Sequence, residues 1–153
     1  MNEGFEQIIR QNLEDIAREI EVHAPERIYV EVAPEDLLDA AGRLFQKLGA
    51  RYAIASGTHI ENGFEVLHHF AFDGEGCLVS LRVRTEEDPP EFDSLAPMIK
   101  GARFIEREIH DLLGIRFRGH PNLTRLILPE DWPADVYPLR QGKPWEGKVK
   151  KQI

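Results

Sequence analysis

The chain has 153 residues, 30% of them charged and 42% hydrophobic, with a formal net charge of −8. That length fits one domain, large enough to bury roughly two thirds of its unfolded surface without a disulfide or metal. The acidic balance argues against non-specific nucleic-acid binding. One cysteine, Cys77, excludes an internal disulfide, and no run approaches the roughly 18 apolar residues of a transmembrane helix. The acidic N-terminus also lacks the basic-then-apolar layout of a signal peptide.

Phe5, Ile8, Ile9, Leu13, Ile16, Ala17 and Ile20 recur at helical spacing and predict a first helix, closed by Pro25. Ile28, Val30 and Val32 alternate and predict a strand over 27–32. Pro34-Glu35-Asp36 opens a second helix, with proline and acids suited to its first turn. Its apolar stripe is Leu37, Leu38, Ala41, Leu44, Phe45 and Leu48, and Gly49 is placed to cap it.

Three strands follow, over 52–60, 64–72 and 77–84, joined by Glu61-Asn62-Gly63 and by Asp73-Gly74-Glu75-Gly76. Phe64, Val66, His68, Phe70 and Phe72 share one face, as do Cys77, Val79, Leu81 and Val83. Residues 85–90 form an acidic, proline-ended loop. A helix over 97–113 is predicted to bury Ala102, Ile105, Ile109, Leu112 and Leu113. Glu106 and Glu108 then flank that stripe, and Arg107 lies on the far side. Arg107 with Asp111, and Glu106 with His110, stand one turn apart and are placed to pair. Gly114 suits a left-handed cap, Ile115 to Phe117 a short strand, and His120-Pro121 a turn.

The order α-β-α-β-β-β-α describes an α+β, two-layer domain with a mostly antiparallel sheet, helices on one face, and an extended C-terminal tail. The domain covers 1–128 and the tail 129–153. The tail carries +1, leaving −9 on the domain, and holds four prolines. It cannot build its own core, yet it keeps Trp132, Trp145, Tyr137 and Leu139. Such groups imply ordering against a surface, its own or a partner's, rather than a solvated tail.

The expected sites for catalysis, metals and cofactors are none. Six histidines contain no His-Glu-x-x-His, and His68 and His69 point to opposite strand faces. His68 reads as a hydrogen-bonded core residue and Cys77 as a buried small one. No nucleophile elbow and no glycine-rich phosphate loop is present. Glu106, Glu108 and Asp111 read as structural or docking carboxylates. Arg125 and Arg140 read as candidates for two-point ion pairs with a partner.

The run Phe104–Ile115, continued by Gly119–Leu123, Arg125–Trp132 and Tyr137-Pro138-Leu139-Arg140, resembles the thirty-kilodalton (30 kDa) subunit family of respiratory complex I, the NADH-quinone oxidoreductase. That family includes the equivalents in membrane-bound energy-converting nickel–iron hydrogenases and formate hydrogenlyases. The resemblance implies a non-catalytic structural subunit with no cofactor of its own. Iron–sulfur clusters, and NiFe or quinone sites, would lie in partner subunits. It implies a peripheral place on the cytoplasmic side of the cell membrane, reached only through the complex. The implied partners are a hydrogenase-like large subunit and a small iron–sulfur subunit, in a machine coupling electron transport to ion translocation. The expected interface is Glu106, Arg107, Glu108, Asp111, His120, Arg125, Trp132, Tyr137, Pro138, Leu139, Arg140 and Trp145. Two other readings remain open. One is a stand-alone protein-binding module. The other is a small enzyme using Glu106, Glu108, Asp111 and His120.

Overall fold

The structure, a computed structural model, describes residues 3–142. Helix α1 covers Glu3–Leu13 and buries Phe5, Ile9 and Leu13. The predicted continuation of that helix to Ile20 does not form. Residues Ala17–Ala24 make strand β1 instead, antiparallel to β2, Arg27–Val32. Ile16, Ala17 and Ile20 sit at helical spacing, but Ile20 and Val22 also alternate. Pairing with β2 across the Pro25-Glu26 turn overrides the local period.

Pro34–Asp36 forms a 3-10 turn that leads into helix α2, Leu37–Gly42, and a π-helical turn over Arg43–Lys47. Gly49 then takes the left-handed conformation, φ 74°. Strands β3 (Arg51–Ile60), β4 (Gly63–Phe72) and β5 (Cys77–Thr85) form an antiparallel meander. The β3–β4 hairpin turns through Glu61-Asn62, one residue tighter than the predicted Glu61-Asn62-Gly63, because Gly63 opens β4 with a positive φ of 149°. A side chain at Gly63 would collide with the Thr85 carbonyl oxygen.

The sheet order is β1-β2-β5-β4-β3, with β2 and β5 parallel. A second, two-stranded parallel sheet pairs β6 (Glu91–Asp93) with β7 (Arg116–Arg118). β1 and β6 add to the predicted order. The last helix, α3, covers Ala102–Leu113, shorter than the predicted 97–113; residues 97–101 form turns. Gly114 is its left-handed cap, with its N–H on the His110 carbonyl at 2.9 Å.

The core lies between the helices and one face of the large sheet. Phe64, Val66, His68, Phe70 and Phe72 point into it, as predicted, with Val79, Leu81 and Val83 beside them. Phe5 of α1 meets Phe72 at 4.8 Å between ring centres. α3 lies on edge strand β3, where Gly57 leaves room for Ile109 and Leu113.

Among the described residues the opposite sheet face carries no helix. There Glu65 accepts from Arg84 at 2.7 Å and lies 3.3 Å from Arg82, while Arg82 also covers the Tyr29 ring. His69 links Ser56 and Ser80 on the same face.

His68 is fully buried, with its Nδ1 2.9 Å from the Tyr52 hydroxyl and no partner at Nε2. Burial pushes its pKa down to about 3, so it stays neutral, as a core histidine must. Burial, and secondarily the nearby Glu106, raises the Tyr52 pKa, which keeps that hydroxyl protonated.

Candidate docking surface

The charged residues of α3 do not form the i,i+4 pairs that their spacing allows. Glu106 is fully buried. Its carboxylate accepts the Ser94 hydroxyl at 2.6 Å and the Leu95 N–H at 2.8 Å. It therefore faces the turn before α3 and corrects the expectation of a flanking, outward acid. Burial pushes its pKa up to about 7, against hydrogen bonds that favour the ionised form.

Asp111 is also buried, at 4% exposure. A single oxygen, Oδ2, accepts the N–H groups of Leu126 and Ile127 at 2.8 Å and of Leu128 at 3.2 Å. Arg107 donates to the carbonyls of Thr124 and Arg125 at 2.9 and 2.7 Å. His120 Nε2–H donates to the Arg103 carbonyl at 2.9 Å, while its Nδ1 accepts the Asn122 N–H at 3.0 Å. The segment 120–128 has no regular structure. These three side chains supply the donors and acceptors that a strand neighbour would otherwise provide. Their bonds lead the segment along α3, from Arg103 to Asp111.

Glu108 is half-buried, and His110 Nδ1–H donates to the Ile115 carbonyl at 2.8 Å. Glu106, Asp111 and His120 thus face three different neighbourhoods, so they do not converge on a reacting atom. Among the described residues no group of acids, histidines and cysteine could hold a metal ion. One cavity of about 150 Å³ touches this region, lined by His110, Asp111, Arg125, Trp132 and Tyr137 among others. It is smaller than the hundreds of cubic ångströms usual for ligand pockets.

The tail from 129 to 142 lies across its own domain. Arg125 Nη1 donates to the carbonyls of Pro129, Glu130 and Trp132 at 2.8, 3.3 and 2.7 Å. Trp132 Nε1 donates to Val136 at 2.8 Å. Leu139 N–H reaches the Leu112 carbonyl at 3.0 Å, and Arg140 Nε–H the Leu113 carbonyl at 2.7 Å. The Arg140 guanidinium lies 4.5 Å from the Tyr137 ring centre and 4.9 Å from that of Phe64, with Asp88 3.6 Å away. Gln141 N–H ends the strap on His59 Nδ1 at 2.9 Å. Arg125 and Arg140, expected to clasp a partner's carboxylates, are therefore held inside the chain. Pro138 and Leu139 are exposed, Tyr137 is half-buried, and Trp145 lies outside the described residues.

This geometry is spread over the segment that carries the family resemblance. The sequence model of the respiratory-chain NADH dehydrogenase 30 Kd subunit matches residues 30–149, from the second half of β2 through the whole strap. The chain belongs to this family. It is 35% identical over 121 residues to the NADH-quinone oxidoreductase C subunit of Roseiflexus castenholzii, covering 75% of this chain and 68% of that one. Formate hydrogenlyase subunit 5 of Escherichia coli is 33% identical over 96 residues, 63% of this chain. Hydrogenase-4 component G of the same organism is 30% identical over 125 residues, 79% of this chain. The chain spans only 15% and 22% of those two relatives.

Two solved structures share the fold. A chain in the membrane-bound sulfane sulfur reductase, an archaeal respiratory membrane complex, superposes with a TM-score of 0.77 at 21% identity, covering 90% of this chain and 84% of that one. The trypsin-resistant fragment of Nqo5 gives 0.64 at 23%, covering 78% and 98%. Both agree with the α+β, two-layer architecture. No described helix is long and apolar enough to cross a membrane.

Sequence reasoning missed Ser94, the partner of Glu106, and the seat that Gly114 provides for the strap. Neither carries a local pattern. Both become visible only when segments distant along the chain meet.

Proposed function

We propose that the chain is a non-catalytic structural subunit in the peripheral arm of a membrane-bound, complex I-like oxidoreductase, of the energy-converting hydrogenase or NADH:quinone type. It docks on a hydrogenase-like large subunit, beside a small iron–sulfur subunit, on the cytoplasmic side of the membrane. It holds no redox group, and the clusters and the NiFe or quinone chemistry reside in those partners. Its part in electron transfer coupled to ion pumping is to keep neighbours in register.

One observation carries this reading. In the family's characteristic run, Glu106 is committed to the buried turn before α3, and Asp111 and His120 to the 120–128 segment, which leaves no converged set for acid/base work. Membership of a family whose relatives are named as subunits of such oxidoreductases supports it further.

Affinity purification of the tagged chain from native membranes tests the proposal. The expected result is co-recovery of a hydrogenase-like large subunit and a cluster-bearing small subunit, with the isolated chain colourless. Recovery without any such chain overturns it. So does an activity of the isolated chain that alanine at Glu108 abolishes.

A further inference from the structure

The side chains that build the 120–128 segment leave a different set facing outward. With the amides of Leu126, Ile127 and Leu128 all turned onto one Asp111 oxygen, the backbone is fixed from within. Leu126 and Ile127 nevertheless stay 40% and 54% exposed, and Phe104 of α3 is 64% exposed. Arg107 links the helix to the residues just before Leu126. The Arg107 guanidinium that holds the Thr124 and Arg125 carbonyls lies 5.9 Å from the Phe104 ring centre.

An irregular segment held by this many side-chain bonds has lost much of its conformational freedom. Its apolar side chains are therefore preorganised for contact. At the N-terminal end of the patch stand Lys100 and Arg103, exposed and without an ion pair among the described residues. Glu108 follows Phe104 by one helical turn on the same face of α3. The uncovered face of the sheet differs: its charged groups Glu31, Glu65, Arg82 and Arg84 already neutralise one another.

We propose that Phe104, Leu126 and Ile127 form the contact patch for a neighbouring polypeptide in the complex, one that offers an apolar socket with a carboxylate opposite Lys100 and Arg103. The polar residues of the same run build the patch from behind rather than touching that partner. This inference rests on the reading of the chain as one component of a larger complex.

The test places a photo-crosslinking amino acid at Phe104, at Ile127, and at the exposed controls Leu38 on α2 and Ile54 on β3, in the full chain within its native membrane complex. Positions 104 and 127 are expected to crosslink to one polypeptide, in a segment bearing Asp or Glu, and the controls are not. The double variant Phe104→Ser, Ile127→Ser, with an unchanged melting temperature, should fall at least about tenfold in co-recovery with that polypeptide. Leu38→Gln should not. Crosslinking from Ile54 in place of 104 and 127 overturns the patch but leaves the reading as a complex component intact. Crosslinks to lipid alone, with binding to vesicles of zwitterionic and anionic phospholipid lost in the double variant, replace the protein partner with a membrane surface. A wild-type chain found in no complex removes both readings together.

Discussion

Gly114 lies directly against Tyr137: a Cβ built on Gly114 would stand 2.6 Å from two atoms of the Tyr137 ring and 2.7 Å from the Arg140 guanidinium. The glycine at the end of α3 therefore does two jobs. Its φ of 74° closes the helix, and its missing side chain seats the strap.

Gly114→Ala is expected to destabilise the fold by about 1–3 kcal/mol, combining left-handed strain with displacement of Tyr137. The larger effect should be local. Hydrogen exchange at the Leu139 amide, now bonded to Leu112, should accelerate far more than at β4 amides. Equal acceleration at both would mean that the strap is not seated on Gly114.

Asp111→Ala removes one acceptor from three amides and is expected to cost about 2–4 kcal/mol. Asp111→Asn keeps an oxygen in place and should recover part of that. Exchange rates of the Leu126 to Leu128 amides measure both. If Asn protects them no better than Ala, the carboxamide has turned its nitrogen inward.

Glu106 and His68, both of which act on Tyr52, impose opposite pH dependences. The Glu106 pKa rises on folding from 4.5 to about 7. The folded chain therefore holds a proton that the unfolded chain releases. The stability this contributes is complete below about 4.5 and is lost as pH rises to about 7, a change of about 3 kcal/mol. The His68 pKa falls from 6.5 to about 3. Its contribution is complete above about 6.5 and is lost as pH falls, by as much as about 5 kcal/mol. Between about 4.5 and 6.5 the two slopes oppose each other. Urea unfolding at those two pH values should show Glu106→Gln gaining stability with rising pH relative to wild type, and His68→Phe losing it. Identical slopes in all three proteins would show that neither group is perturbed.

Arg125→Lys replaces a planar fork with a point charge where one guanidinium nitrogen serves three carbonyls. A loss of about 1 kcal/mol is expected, with increased proteolysis confined to residues 129–136. Cleavage spread through the whole domain would contradict that locality.

The meander was legible because its strands are two-sided. Val66, His68 and Phe70 alternate with Glu65, Leu67 and His69, and burial follows that alternation. β1 was not legible, because Ile16, Ala17 and Ile20 fit a helix until β2 is placed beside them. The role of Glu106 was hidden for a related reason. A carboxylate beside an apolar stripe reads as solvent-facing, and its hydroxyl partner Ser94 stands twelve residues away. The strap's large side chains announced that it needs a surface. Which surface became clear only from Leu112, Leu113 and His59.

The parallel pairing of β2 with β5 has a kinetic consequence. The β1–β2 hairpin and the β3–β4–β5 meander each close through short turns and can form on their own. The ladder that joins them matches Arg27 with Leu78 and Glu31 with Arg82, across the whole of α2 and the meander. Loop closure over that span costs entropy before any contact repays it, so docking of two preformed pieces along this seam is the expected slow step of folding. Until it closes, β2 and β5 each expose a bare edge, and newly made chains are most vulnerable to pairing with one another there.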